Sequence, residues 1–312
     1  MNKCPEIINK VYDYVIPLRY LVPWLRYPMR NKILDNEPFF IIGSGRSGTT
    51  LLRRILIQVE GVHIPPETYV LGGVIKIYRQ HAGMRWFSLV DLILSTYEYH
   101  PEFYTFNLGS LRELASRLKN LPSEQRCLVS IIDNIYRFHA EKNEIKCKVW
   151  GDKTPLNTLN IKRIDSVFEN SKYIHLIRNP YDVIYSYTKN ELQADVSSAA
   201  RRWNEANKKA LEFSKNNKER VLKVRYEELV SQPKDVVKKI FNFLNLDYND
   251  KYLDSENHKI VTMGDVEKKK HHYNLGKKIT RGSIGKGLKN LSKEELILIE
   301  PLIFNIKNKL GY

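Results

Sequence analysis

Short, continuous apolar runs alternate along the chain with longer stretches in which apolar residues recur every three to four positions. The runs within 37–43, 148–155, 172–178 and 220–229 have the length and continuity of strands buried on both faces. The run within 148–155 passes into a loop, and the one within 220–229 passes into a short helix. Strands that alternate with helices predict an α/β domain with a mainly parallel central sheet flanked by helices.

Helices are predicted between and after these strands. Their expected positions are 49–59, 157–169, 180–190, 198–214, 233–245 and 292–310. Most of 70–141 also has helical spacing, so a helical insertion follows the first strand–helix unit. Pro122 and Ser123 open its last helix, at 122–141, and Ser123 is the residue predicted to cap it.

The chain of 312 residues is interpreted as an N-terminal arm at 1–35 followed by a single domain at 36–312. Residues 70–141 are the helical insertion of that domain. Residues 251–290 have few apolar runs and hold ten Lys or Arg against four Asp or Glu. We therefore predict a long basic loop there, of the kind that is usually functional or disordered.

The N-terminal arm contains an apolar, aromatic stretch followed by basic residues. Residues 11–25 include one Asp, one Arg and two Pro, so the stretch is too short and too interrupted to span a bilayer. Residues 11–32 have two interpretations, peripheral contact with a membrane surface or packing on the domain. We favour packing on the domain.

The charge and the cysteines narrow the class of protein. A net charge of +16, from 51 basic and 35 acidic residues, favours an anionic partner such as a nucleotide, although general solubility explains it equally well. The three cysteines form no CxxC pair and no metal-ligand cluster. We therefore expect a reducing, cytoplasmic environment, no metal and no nucleic-acid partner.

The stretch IIGSGRSGTTLLRRIL at 41–56 has the outline of a phosphate-binding loop between a strand and a helix. Such a loop directs backbone N–H groups and the helix N-terminus at one anion. Arg46 adds a positive charge, and Ser47, Thr49 and Thr50 add hydroxyl donors. Thr49 stands where a triphosphate-binding loop has its lysine, which argues against ATP or GTP hydrolysis.

On these residues, GSGRSGTTLL resembles the 5′-phosphosulfate loop of the sulfotransferases that use 3′-phosphoadenosine-5′-phosphosulfate (PAPS). The resemblance implies a P-loop-like fold and sulfuryl transfer from PAPS to a hydroxyl or amine, releasing adenosine 3′,5′-bisphosphate. The loop residues that it assigns to PAPS binding are Gly45, Arg46, Ser47, Gly48, Thr49 and Thr50. The alternative is a P-loop kinase or NTPase-like nucleotide-binding protein.

A second family element, HLIRNPYDVIYSYTK at 175–189, places Ser186 eight residues after Arg178. The guanidinium and the hydroxyl are similar to the family's pair for the 3′-phosphate. In VRYEELV, Tyr226 is a candidate ligand contact. The late segment TRGSIGKGLK resembles a glycine loop of the family, but it lacks the Trp that often follows; Arg281 and Gly282 are its candidate nucleotide contacts. Residues 251–290 would then close over the nucleotide.

The catalytic groups that the resemblance implies are Glu67, Lys153 and Arg46. Glu67, in PPETY, matches the proposed general base of the tyrosylprotein-type branch and its bacterial relatives. Lys153, in WGDKTP, would stabilise charge on the bridging oxygen, and Asp152 would orient Lys153 or act as an alternative base. The acceptor is open: a glycan, a phenol, a lipid or a protein tyrosine.

Overall fold

The computed structural model describes residues 26–31, 34–254 and 279–312. Five parallel strands of the described chain form one sheet in the order β2-β3-β1-β4-β5. Their bounds are β1 Phe39–Ile42, β2 Val62–His63, β3 Val149–Asp152, β4 Lys172–Ile177 and β5 Val221–Arg225. The predicted α/β class with a parallel central sheet is confirmed.

The side chains of β1 point alternately to the two faces of the sheet, and both faces are covered by apolar clusters. Phe40 and Ile42 pack into a cluster that also contains the helices of the insertion. Phe39 and Ile41 point the other way, into a cluster with the helix that follows β1. All four side chains are at most 3% exposed. A strand buried on both faces has a continuous apolar sequence, as predicted.

The helices lie largely where apolar spacing placed them. Their bounds are α1 Thr49–Leu56, α2 Leu71–His81, α3 Trp86–Glu98, α4 Arg112–Lys119, α5 Leu128–Lys142, α6 Ile161–Asp165, α7 Pro180–Lys189, α8 Val196–Asn216, α9 Tyr226–Ser231, α10 Pro233–Leu244, α11 Lys286–Asn290 and α12 Lys293–Lys309. Short 3-10 helices lie at Phe103–Phe106, Ser123–Gln125, Pro155–Asn160, Lys218–Arg220 and Asp250–Leu253. Helices α2 to α5 occupy the predicted insertion, between β2 and β3.

Two local predictions were wrong. Ser123 does not cap the last helix of the insertion: it begins a separate 3-10 turn, and the side chain of Cys127 accepts the cap hydrogen bond from the Ser130 N–H. The helix expected over 157–169 is a 3-10 turn followed by the short α6. Strand β2 is only two residues long, too short to give an apolar pattern.

Part of the predicted organisation lies outside the described residues. This is true of residues 1–25 and 32–33 of the N-terminal arm and of 255–278 in the basic loop. Where the structure describes the end of that predicted loop, the prediction was wrong: Lys286–Asn290 forms α11. Within the described ranges, no helix combines the length and the apolar character needed to cross a membrane.

Candidate active site

The phosphate loop, residues 43–48, joins the carboxyl end of β1 to α1. Gly48 has φ +93°, and a Cβ at this position would overlap the ring of Tyr226. Arg46 has φ +65°, which is uncommon for a residue with a side chain. Gly48 is therefore required both by its backbone conformation and by the close approach of Tyr226.

The loop also has a buried polar group without a partner. The Ser47 side chain is fully buried, and its hydroxyl makes no hydrogen bond within the described residues. Thr49 is buried at the first position of α1, and Thr50 is half-buried beside it. Because buried hydroxyls are normally hydrogen-bonded, the unpartnered Ser47 fits a loop that holds an anion.

Arg46, Arg178 and Ser186, which the motifs singled out separately, lie together at this loop. The Arg46 side chain donates its Nε–H to Ser186 Oγ at 3.0 Å. The Arg178 guanidinium donates to the carbonyl oxygen of Arg46 at 2.8 Å. Burial lowers the pKa of Arg46, and the neighbouring Glu67 carboxylate opposes that shift. The strand-end arginine and the helix serine are thus joined to the loop directly.

Tyr226 and Ser283 complete the surroundings of Arg178. The guanidinium carbon of Arg178 lies 4.5 Å from the centre of the Tyr226 ring. Arg178 also donates to the backbone carbonyl of Ser283 at 2.9 Å, and the Tyr226 and Ser283 hydroxyls share a hydrogen bond of 2.7 Å. The Arg178 Nε–H is buried and unpartnered within the described chain. Sequence reasoning missed Ser283, although it lies inside the late glycine segment.

The structure places the two predicted residues of the late segment differently. Arg281 and Gly282 are exposed, and Arg281 donates to the carbonyl oxygen of Ser231 at 3.1 Å. Its guanidinium is therefore directed at the end of α9, while Ser283 contacts Arg178. This segment reaches the site mainly through its backbone and Ser283.

Glu67 and Lys153 form an ion pair beside the loop. Lys153 Nζ lies 2.7 Å from Glu67 Oε1, with the lysine side chain fully buried and the glutamate side chain 18% exposed. A Cβ at Gly45 would lie 3.7 Å from the ring of Pro155, two residues after Lys153. The pair therefore borders the phosphate loop, with only the carboxylate reaching the surface.

A buried hydrogen-bond network holds the segment that carries Glu67. Asp152 accepts from the hydroxyls of Tyr136 and Thr68, and from the backbone N–H of Thr154. Thr154 Oγ1 in turn accepts from the backbone N–H of Thr68 at 2.9 Å. Burial, reinforced by the Asp152 charge, raises the pKa of Tyr136. These bonds favour a structural role for Asp152 over the alternative role of a base.

Tyr69, two residues after Glu67, links the site to the insertion. Its φ of +54° is unusual for an aromatic residue. Its ring stacks on that of His100, with centroids 5.4 Å apart and planes at 7°. His100 follows α3, so the insertion contributes directly to the surroundings of Glu67. Sequence reasoning gave neither residue a role, although Tyr69 is the last residue of the PPETY segment.

Comparison with known proteins identifies the family. Residues 38–250 match the model of the family described as Sulfotransferase family. The chain belongs to the sulfotransferase family. Within the described residues, this sulfotransferase has no cluster of three His, Cys, Asp or Glu side chains arranged to hold a metal ion.

Individual relatives are distant. A Caenorhabditis briggsae protein named for protein-tyrosine sulfation is 26% identical over 222 residues, covering 69% of this sulfotransferase and 67% of the nematode protein. The Mycobacterium tuberculosis omega-hydroxy-beta-dihydromenaquinone-9 sulfotransferase is 26% identical over 192 residues, covering 50% of this chain and 45% of the mycobacterial protein. The chain therefore spans less than half the length of that second relative.

A solved structure supports the fold. The sulfotransferase domain of the Synechococcus PCC 7002 olefin synthase superposes with a TM-score of 0.65 at 22% identity. The match covers 92% of this chain and 98% of that domain. At this level of identity the likeness concerns the fold.

Proposed function

We propose that this sulfotransferase transfers the sulfuryl group of PAPS to an acceptor hydroxyl or amine. The observation that carries the proposal is the contact of Arg178 and Ser186 with Arg46. Two cationic side chains and a hydroxyl from three separate elements converge beside a phosphate loop. A nucleotide with phosphate at both its 5′ and 3′ ends fits that arrangement.

The 5′ end of PAPS would be held by the phosphate loop. Backbone N–H groups at a helix N-terminus bind phosphate oxygens, and the unpartnered hydroxyl of Ser47 is an additional donor. Thr49 and Thr50 provide two further hydroxyls at the start of α1. A phosphosulfate has no γ-phosphate, so the missing lysine of the triphosphate loop is not needed.

The 3′-phosphate would be held by Arg178 with Ser186. The buried Arg178 Nε–H is available as a donor, and Tyr226 supports the guanidinium from one face. A guanidinium recognises phosphate through several N–H donors in one plane. This contact would distinguish PAPS from nucleotides without a 3′-phosphate.

In the proposed reaction, the acceptor oxygen attacks sulfur and forms an S–O bond as the bond from sulfur to the bridging phosphate oxygen breaks. Adenosine 3′,5′-bisphosphate leaves with the electron pair of that bond. Glu67 accepts the acceptor proton, and Lys153 Nζ, 2.7 Å from Glu67 Oε1, holds the carboxylate in position. Lys153 and Arg46 would stabilise charge on the sulfuryl and bridging oxygens.

The acceptor would approach Glu67 from the insertion, which reaches this segment through the stacking of Tyr69 on His100. The named relatives sulfate protein tyrosine and a menaquinone derivative, both of which offer a hydroxyl group. For this chain, the acceptor classes to be tested are glycans, phenols, lipids and tyrosine peptides. Residues of the insertion would select among them.

Calorimetry with adenosine 3′,5′-bisphosphate tests the donor. We expect binding without metal, and weaker binding of Mg-ATP. A protein that binds and hydrolyses Mg-ATP and ignores adenosine 3′,5′-bisphosphate would instead be the kinase or NTPase-like alternative. An acceptor screen with labelled PAPS then identifies the second substrate.

The Glu67→Gln variant tests the base. General-base catalysis contributes about 10²- to 10⁴-fold, so we expect a loss of this size in kcat with nucleotide affinity unchanged. Glu205→Gln, at an exposed position on α8, is the matched control. Full activity of Glu67→Gln would remove the base assignment and leave the donor assignment intact.

A further inference from the structure

Asp182 lies in the first turn of α7, between Arg178 and Ser186 in sequence, and is 2% exposed. Its two carboxylate oxygens accept backbone N–H groups from the late loop, which we define as residues 281–287. Asp182 Oδ2 accepts from Gly285 at 2.9 Å, and Oδ1 accepts from Gly287 at 2.7 Å. One buried carboxylate thus fixes two backbone groups that are more than a hundred positions away in the chain.

The glycines at these two positions are explained by the same contact. Gly285 has φ +76°, a conformation that favours glycine. A Cβ at Gly287 would overlap the backbone of Tyr181. The late loop therefore lies directly on the start of α7, where Asp182 is within reach of its N–H groups.

This attachment determines where Ser283 lies. Ser283 is two residues before Gly285, and its carbonyl and hydroxyl oxygens contact Arg178 and Tyr226. The contacts form a continuous path from Asp182 through the late loop to the guanidinium of Arg178. Releasing the loop would leave Arg178 without its Ser283 partner and Tyr226 without its hydroxyl partner.

We infer that Asp182 is a positioning residue for recognition of the 3′-phosphate. It acts through the late loop, whose backbone and Ser283 hold Arg178 and Tyr226 in place. The inference rests on the proposed use of PAPS. The late loop thus has a function although it lacks the tryptophan of the family. The backbone N–H groups of Gly285 and Gly287 bind the Asp182 carboxylate, and Gly287 packs closely on Tyr181.

Charge repulsion alone predicts the opposite change in nucleotide affinity when Asp182 is replaced. A carboxylate on the helix that carries Ser186 repels a phosphate, so its removal alone would strengthen nucleotide binding. If Asp182 positions the late loop, its removal weakens binding, because an amide side chain offers one acceptor oxygen in place of two. The sign of the change distinguishes the two cases.

The experiment compares Asp182→Asn with the wild type by calorimetry, using adenosine 3′,5′-bisphosphate and adenosine 5′-monophosphate. We expect affinity for the bisphosphate to fall about tenfold or more, with affinity for the monophosphate unchanged. Asp195→Asn is the matched control: Asp195 accepts the Ser198 N–H at the start of α8, at an exposed position. That variant should keep the preference for the bisphosphate.

Several outcomes would overturn the inference. They are unchanged or stronger binding of the bisphosphate by Asp182→Asn, and an equal loss for both ligands, which would mean a role in folding only. A wild type that binds both ligands equally would instead overturn the proposed 3′-phosphate site, and this inference with it.

A second variant covers the case in which Asp182→Asn does not fold. Gly285→Ala strains the late loop without removing a charge, because alanine disfavours the positive φ at this position, and a Cβ there meets no atom within 4 Å. We expect the same selective loss of affinity for the bisphosphate. If Gly285→Ala retains the full preference, the late loop does not position Arg178.

Discussion

The nucleotide side and the acceptor side of the site are built differently. The nucleotide side comprises the phosphate loop, Arg178, Ser186, Tyr226 and the late loop; its side chains are held largely by backbone carbonyls and by one another. The acceptor side comprises the Glu67–Lys153 pair and the Asp152 network, which are held by buried side-chain hydrogen bonds. The first is defined by local motifs, the second by contacts across the insertion.

This difference separates binding from chemistry. Residues of the nucleotide side contact groups that a phosphosulfate nucleotide would replace or join, so changes there should affect affinity. Residues of the acceptor side hold a buried charge pair in one geometry, so changes there should affect the rate or the stability of the fold. The predictions below test that division, from the largest expected effect to the smallest.

After Glu67→Gln, the largest effect is expected from Lys153→Met. The fully buried ammonium group is the cation closest to the Glu67 carboxylate among the contacts described above. Removing one preorganised electrostatic group costs about 10²- to 10³-fold in kcat. Turnover of labelled PAPS with an acceptor from the screen measures this, and Lys209→Met, at an exposed position on α8, is the control. A loss confined to nucleotide affinity would place Lys153 on the nucleotide side instead.

Tyr136→Phe should weaken the hydrogen-bond network of the acceptor side and leave the contacts of the nucleotide side unchanged. The variant removes one of the donors to the buried Asp152 carboxylate, which should lower the free energy of unfolding by about 1–3 kcal/mol. Urea denaturation measures the change. In the control, Tyr248→Phe, the hydroxyl lost is bonded to the exposed Asp250, and a change within about 0.5 kcal/mol is expected. Equal effects in the two variants would contradict a special role for the network.

Acidification should destabilise the fold through two buried histidines, His63 and His175. Burial, with repulsion from His139 and Arg53, lowers the pKa of His63 well below 6.5, and burial lowers that of His175 to about 4. Below pH 6.5 the unfolded chain binds protons that the folded protein excludes, so stability is present above this pH and falls below it. The fall is at most about 1.4 kcal/mol per pH unit for each histidine.

Single variants assign this loss to one histidine or the other. His63 lies on β2 against the insertion helix α5, with its ring nitrogen 3.0 Å from His139, while His175 lies in β4 and bonds Asn207 of α8. In the wild type the denaturation midpoint should be lower at pH 5 than at pH 7. This difference should become smaller in His63→Gln and also in His175→Gln. An unchanged pH dependence in both variants would show that other groups are responsible.

The smallest effect is expected from Ser186→Ala. Loss of the hydroxyl removes the partner of Arg46 Nε and a proposed 3′-phosphate donor, so affinity for adenosine 3′,5′-bisphosphate should fall about 3- to 10-fold. Thr188→Ala, on the same helix, removes a hydroxyl bonded only to carbonyls of α7, and it should leave affinity unchanged. A larger loss in kcat than in affinity would contradict the assignment of Ser186 to nucleotide binding alone.

Much of the nucleotide side was predictable because its residues lie in contiguous segments of the sequence. The phosphate loop and the Arg178–Ser186 pair have fixed spacings, set by the passage from a strand end into a helix. Ser283 was not predicted, because its contact with Arg178 depends on Asp182 holding the late loop. For the same reason Arg281, which has the better chemistry for phosphate, was chosen from the sequence and lies on Ser231 instead.

The acceptor side was predictable only in its three charged residues, Glu67, Asp152 and Lys153. Glu67 and Lys153 matched family segments, but their 2.7 Å contact joins positions 86 residues apart. Tyr136 lies in no motif, and Tyr69, although it ends the PPETY segment, was given no role. Their importance comes from the way α5 and the segment after α3 pack around Asp152 and Glu67. The single-domain assignment and the roles of the individual site residues stay predictions.

By itself, the sequence determined the parallel α/β fold, the positions of most helices and the presence of a phosphate loop without a triphosphate lysine. These features follow from short-range periodicity and from local backbone conformation. Tertiary structure alone decided that Cys127 and not Ser123 caps α5, that Asp152 serves the network, and that Asp182 reaches the late loop. Hydrogen-bond partners of buried groups depend on which distant segments pack together, and neither residue spacing nor local propensity encodes that choice.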